Sequence, residues 1–125
     1  MSYQDVKDKL HHGHRKVANN TYLAYENEFH GDYVIHPIIM KLHGNVVARF
    51  YPDHIELHSA GWHTVTTRSR LNLALRLAGI HGSISQYKYQ WYIDTNLLNV
   101  VEFKDGMKIS YTGEILSHPP IEVSK

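Results

Sequence analysis

An α+β fold, mostly antiparallel sheet in a meander packed on one main helix with a short N-terminal helix, follows from three features of the sequence. Between Ser69 and Ala78, strong helix formers carry a wide apolar stripe. On both sides of that segment lie short β-prone runs separated by turn-forming residues. No internal repeat or linker divides the 125 residues, a length that can bury a core without disulfide staples. Residues 1–125 therefore read as a single domain, with 1–16 an N-terminal helix and basic cluster and 117–125 a loose tail.

Taken in order, Ser2 caps the first helix, with Asp5 three residues on as an approximate capping box. Tyr3, Val6 and Leu10 share one face of it, and Gly13 terminates it. Val17 to Tyr25 reads as a strand interrupted at Asn19-Asn20, and His30-Gly31-Asp32 as a turn. Tyr33 to Leu42 is β-rich, with Pro37 calling for an edge, a bulge or an early strand position. After the turn His43-Gly44-Asn45 come two strands, Val46 to Tyr51 and Ile55 to His58, joined at Pro52-Asp53. The main helix takes Thr66 or Thr67 as its N-cap and begins within two residues of Thr67. Leu71, Ala74, Leu75 and Ala78 make its stripe, widened by Leu73 and Leu77, and Gly79-Ile80 ends it. Four short β runs follow: Ile84 to Gln86, Gln90 to Ile93, Val100 to Phe103 and Met107 to Tyr111. Asp105-Gly106 between the last two is a strong hairpin signal. The end, from Ser117 to Lys125 with Pro119-Pro120, reads as extended and loosely held.

Composition excludes several classes. With no cysteine there is no disulfide framework, thiolate metal site or cysteine nucleophile, which fits a reducing cytoplasm. Met1 to Lys9 is polar, without a signal-peptide core, and no run approaches the roughly 20 apolar residues of a membrane helix. A formal net charge of +1 means that any affinity for nucleic acid must be local rather than bulk. The 11 histidines raise metal hypotheses, which have to be argued site by site.

The string Ala60-Gly61-Trp62-His63-Thr64-Val65-Thr66-Thr67-Arg68-Ser69-Arg70-Leu71-Asn72 resembles a signature of small proteins of tailed bacteriophages, close to Gly-Gly-Trp-x-Thr-x-Thr-Thr-x-x-Arg-Ile-Asn. Val17 to Leu23, Leu42 to Val47, Gln90 to Ile93 and Phe103 to Met107 are similar to other segments of those proteins, in the same order, so the resemblance spans residues 17–109. Ala60 stands where the pattern has glycine, Leu71 where it has isoleucine, and Asn45 where it has threonine. The N-terminal helix and the His-rich cluster look like additions. The resemblance implies a phage or prophage origin and carries no activity with it.

Several residues invite a functional reading, each beside a plainer one. At the start of the main helix, free backbone N–H groups, the hydroxyls of Thr64, Thr66 and Thr67, and Arg68 and Arg70 suit anionic oxygens; alternatively they are a cap with exposed arginines. His11, His12, His14, Arg15 and Lys16 form a basic cluster that can touch an acidic partner, or a solvated helix end. Trp62 reads as a core residue leaving the sheet, or as an exposed stacking group. Tyr87, Tyr89 and Trp91 would share one face of a strand, as a stacking platform or as core. His54, Glu56 and His58 share a strand face, but the two histidines are ~13 Å apart by strand rise, so a solvated polar face is preferred to a metal site. His43 reads as a hydrogen-bonded strand-end residue, and no His-Glu-x-x-His or Gly-x-Ser-x-Gly spacing supports hydrolysis.

These readings favour a non-enzymatic phage accessory protein of the host cytoplasm that binds nucleic acid or a host nucleic-acid-handling protein, in counter-defence or host takeover. The expected contact surface is Thr66, Thr67, Arg68 and Arg70, helped by Arg15 and Lys16. No catalytic residue, metal, cofactor or membrane is expected, and a homo-oligomer is compatible. The competing readings are a small nuclease or hydrolase using His and Arg, and a virion assembly protein.

Overall fold

The computed structural model describes residues 3–10, 14–95 and 98–117. Ser2, His11, His12, Gly13 and the segment 118–125 lie outside the described residues, and with them the first helix's predicted cap and terminator and most of the predicted tail.

Helix α1 (Tyr3–Leu10) buries Val6 and Leu10 completely, as its apolar spacing requires. The stretch that reads as one interrupted strand is a hairpin, β1 (His14–Ala18) and β2 (Thr21–Tyr25), folded at Asn19-Asn20. The basic residues Arg15 and Lys16 thus belong to a strand rather than to a helix end. The next β-rich run is divided at His36-Pro37: β3 (Glu28–His30) and β4 (Tyr33–Ile35) pair only with each other, and β5 (Ile38–Leu42) returns beside β2. Pro37 sits just before β5, where no ladder N–H is needed. Strands β6 (Asn45–Phe50) and β7 (His54–Leu57) continue the meander.

After α2 (Val65–Leu77) come β8 (Gly82–Tyr87), β9 (Gln90–Thr95) and β10 (Leu98–Glu102), which form a separate three-stranded sheet. The chain then returns to the first sheet with β11 (Met107–Ser110) beside β7 and β12 (Ile115–Ser117) at its edge. The large sheet therefore has seven strands in the order β1-β2-β5-β6-β7-β11-β12, all antiparallel. Because β10 and β11 belong to different sheets, Asp105-Gly106 is not the turn of a hairpin.

One face of the large sheet presents the aligned row Leu23, Met40, Ala48, Leu57 and Met107, every member fully buried. Leu71, Ala74, Leu75 and Ala78 of α2 join the same core, as do Ile84, Trp91, Ile93 and Phe103 from the small-sheet segment. The helix touches β5, β6 and β8, so it is shared between the two sheets rather than laid on one. Asn72 fastens it to the small sheet: its side-chain carbonyl accepts from the Ile84 N–H at 2.7 Å and its amide donates to the Ile84 carbonyl at 3.1 Å. An isolated pair of backbone groups on β8 is satisfied in this way by a helix side chain. Gly82 opens β8 because a Cβ there would collide with the Asp94 carbonyl oxygen.

The opposite face of the large sheet is polar. Arg49, Glu56 and Lys108 lie side by side across β6, β7 and β11. Arg49 donates to Glu26 at 2.9 Å and to Glu56 at 3.4 Å, and Glu56 also pairs with His58 at 2.9 Å. Tyr51 donates to Glu28 at 2.7 Å; burial first and then this bond raise the phenol's pKa, and the bond, with that from His30, lowers the pKa of the carboxylate. His54, Glu56 and His58 do share this face, but His54 pairs with Asp53 and stacks on Tyr51 instead of converging with His58.

Candidate binding site at the start of helix α2

Two tight turns and a helix start enclose a cleft. The first turn, His43-Gly44, joins β5 to β6 with both residues at positive φ, 51° and 83°. That geometry matches the twist of a two-residue hairpin, and the His43 N–H is anchored on the Asn20 carbonyl at 2.9 Å. The second follows β7: the Trp62 N–H closes onto the Ser59 carbonyl at 3.0 Å across Ala60 and Gly61, at φ 56° and 81°. The third side is the first turn of α2. The cap is Thr64, not Thr66 or Thr67: its hydroxyl accepts from the Thr67 N–H at 3.1 Å. Thr66 and Thr67 are already the second and third residues of the helix, and the Thr67 N–H is the group that Thr64 caps. At the other end the helix stops as its sequence requires, with Ala78 as C-cap and Gly79 at φ 74°.

The cleft has a volume of about 530 Å³. Leu42, Val47 and Ala60 make its apolar lining, and His43, Asn45, Thr64 and Thr66 supply polar groups. Trp62 also lines it and is 61% exposed, so the core reading of this residue does not hold. A glycine-assisted turn carries the indole outward instead of returning it to the sheet. The turn is held from beneath by Asp105. One carboxylate oxygen accepts from the Ser59 N–H at 2.8 Å and the other from the Ser59 hydroxyl at 3.0 Å, while the Gly106 N–H donates to the Leu57 carbonyl at 2.7 Å. The Asp-Gly pair that suggests a hairpin is thus a clasp on the turn that presents Trp62.

The residues expected to form the contact surface are distributed rather than gathered. Thr66 faces the cleft and Thr67 is buried beneath it. Arg68 reaches to β8, donating to Gln86 at 2.9 Å. Arg70 donates to the Thr21 hydroxyl at 2.7 Å and to the Asn19 carbonyl at 3.2 Å, pinning the β1–β2 turn to the helix. Arg15 donates to the Lys9 carbonyl at 3.1 Å and lines a separate hollow with Arg76 and Gly79, by the far end of α2. The helix residue of that hollow nearest the cleft, Leu73, lies six residues beyond Thr67, roughly 9 Å along the axis at 1.5 Å per residue. Lys16 is exposed on β1. The aromatic stretch is divided as well: Tyr87 and Tyr89 are exposed, Trp91 is buried, and Lys88-Tyr89 is a turn between β8 and β9 rather than part of one strand. Among the described residues, no group of three His, Cys, Asp or Glu side chains is placed to hold a metal.

One sequence signal for this region lies in charge distribution. Residues 57–93, which build the second turn, α2, β8 and most of β9, contain no Asp or Glu, but contain Arg68, Arg70, Arg76 and Lys88. That is four of the chain's 13 cations and none of its 12 acids, leaving nine cations against 12 acids elsewhere. A formal charge of +1 conceals this separation, which distinguishes the cleft side from the acid-bearing outer face of the large sheet.

A model of the Kyanoviridae Gp96 protein family matches residues 2–110. The chain belongs to that family. Membership makes it a protein of tailed-phage type and corrects one point of the sequence reading: the Kyanoviridae Gp96 match begins at residue 2, so α1 and the basic stretch lie within the family's span rather than being additions to it. No curated protein and no solved structure matches the chain. Among the described residues, no helix is long and apolar enough to cross a membrane.

Ala60 is the residue of this site most open to a simple test. An L-residue held in the left-handed region costs about 1–2 kcal/mol, of which the greater unfolded-state freedom of glycine takes back about 0.4–1. Ala60→Gly is therefore expected to stabilise the fold by about 0.5–1 kcal/mol in urea denaturation. A loss of stability would mean that the packing of the Ala60 methyl group outweighs the strain.

Proposed function

We propose that this member of the Kyanoviridae Gp96 family is a phage accessory protein that binds single-stranded nucleic acid at the cleft beside the start of α2. The observation that carries the reading is the exposed Trp62 at the wall of a largely apolar cleft, within the acid-free segment of the chain. An indole face accepts any base by stacking, which is worth about 1–3 kcal/mol per base. The hydroxyls of Thr64 and Thr66, the His43 imidazole and the Asn45 amide surround it with groups able to hydrogen-bond base edges or phosphate oxygens. Duplex DNA does not fit this picture, because its bases are already stacked on one another and offer the indole no free face. Counter-defence or host takeover remains the proposed setting for such binding.

The test uses two tryptophans of opposite exposure, Trp62 open and Trp91 buried. Titrating the protein with oligothymidine and oligouridine should quench the Trp62 emission, a Trp62→Phe variant should lose that response, and Trp62→Ala should weaken binding by about 1–3 kcal/mol. Equal binding of a duplex would overturn the single-strand reading in favour of backbone contacts, and no response to any oligonucleotide would overturn it in favour of a host protein as the partner. Cleavage of the oligonucleotide would point to the nuclease instead.

A further inference from the structure

We propose that the tip of the β8–β9 hairpin, Tyr87-Lys88-Tyr89, is a second stacking platform that takes further bases of the same single strand; the proposal rests on the cleft reading above. Tyr89 is 96% exposed and Tyr87 64%, the barest aromatic pair on one turn among the described residues. Neither residue of the two-residue turn is of a type that favours it. Lys88 and Tyr89 sit at φ 50° and 69°, the left-handed geometry for which Asn-Gly is the usual solution. A strained turn built from a cation and an aromatic residue, where glycine would relieve the strain, is what a surface held for contact looks like.

The tip is also tied to the cleft wall. His63, next to Trp62, packs edge-on against Trp91 with ring centroids 4.8 Å apart. Gln86, next to Tyr87, accepts from the Trp91 indole at 3.4 Å and from Arg68 at 2.9 Å. These contacts fix the hairpin against the start of α2, so the cleft and the tip belong to one end of the molecule. Apart from residues 42–47 on one side of the cleft, the lining of that end comes from the acid-free segment, and the one carboxylate placed against it, Asp105, is engaged by the Ser59 N–H and hydroxyl. The Lys88 ammonium lies 5.3 Å from the Tyr87 ring centroid, leaving a cation beside an aromatic face. Aromatic faces interleaved with cations and free of carboxylates suit a polyanion that carries bases, and suit an acidic or apolar peptide less well.

The experiment is a length series of oligothymidine and oligouridine, run on the wild-type protein and on Lys88→Asn/Tyr89→Gly. The replacement turn is the preferred one for this hairpin, so the variant should melt at a higher temperature than the wild type. It should bind the shortest oligonucleotide as the wild type does and quench Trp62 equally. On longer oligonucleotides it should fall behind by roughly tenfold, the worth of about one stacked base. The two series indicate whether the tip distinguishes RNA from DNA. If the variant follows the wild type at every length while Trp62 still responds, the tip is idle and the cleft reading stands. If Trp62 responds to no oligonucleotide, the cleft reading fails and the tip proposal falls with it.

Discussion

Replacing Leu75 with alanine is expected to lower the unfolding free energy by about 2–5 kcal/mol. Leu75 is fully buried, and so are Leu71, Ala74 and Ala78 along the same stripe of α2. That stripe belongs to a core that also takes side chains from the large-sheet strands and from β8, β9 and Phe103, so the lost side chain leaves a cavity walled by both sheets. Ordinary relaxation of one layer cannot fill it, which places the expected cost well above that of an exposed helix position. Leu73→Ala serves as the internal comparison, since Leu73 is only partly buried, and it should cost distinctly less. Urea denaturation followed by circular dichroism measures both. A Leu75→Ala value within experimental error of the wild type would mean that α2 does not close the core.

Asp105→Ala is expected to cost about 1–3 kcal/mol and to disturb Trp62, although Asp105 is itself exposed and distant in sequence from the indole. Its carboxylate receives both the backbone N–H and the hydroxyl of Ser59, a fully buried residue. Removing the acceptor leaves a buried N–H without its partner, which is the costly half of a broken hydrogen bond. The Ser59 hydroxyl also accepts from the Gly61 N–H at 3.2 Å, so the disturbance passes directly into the turn before Trp62. Denaturation supplies the stability change, and the emission maximum and acrylamide quenching of Trp62 report its setting. Asp105→Asn, which keeps one carbonyl acceptor, should recover part of both effects. An Asp105→Ala protein with unchanged stability and unchanged Trp62 emission would show that the clasp does not hold the turn.

What could be read from the sequence was what local chemistry decides. The boundaries of α2 follow from a hydroxyl cap, good helix formers and Gly79, all within one stretch of chain. Even there, three threonines compete for the cap, and the extended backbone at Thr64, which starts the helix at Val65, decides it. Turn letters proved informative at Asn19-Asn20, Gly31-Asp32, His43-Gly44 and Pro52-Asp53 and misleading at Asp105-Gly106. Asp105-Gly106 carries the letters of a hairpin, yet which sheet β10 and β11 join is decided by long-range packing of Phe103 and Met107 in the shared core. Lys88-Tyr89 is a hairpin turn with none of the usual letters, so the aromatic run around it reads as one strand. The cleft could not be seen because it joins residues 42–47 to residues 59–67, and only the antiparallel pairing of β5, β6 and β7 brings those segments together. Trp62 reads as core on frequency alone; its exposure depends on the Ala60-Gly61 turn and the Asp105 clasp.

Single-stranded nucleic acid is the proposed occupant of the cleft. The most direct measurement is a map of backbone amide shifts in isotope-labelled protein as oligothymidine or oligouridine is added. Shifts concentrated at His43 to Asn45, at Ala60 to Thr66 and in the Trp62 indole N–H are the predicted result. Shifts centred instead on the outer face of the large sheet, at Arg49, Glu56, His58 and Lys108, or no shifts with either oligonucleotide, would contradict it.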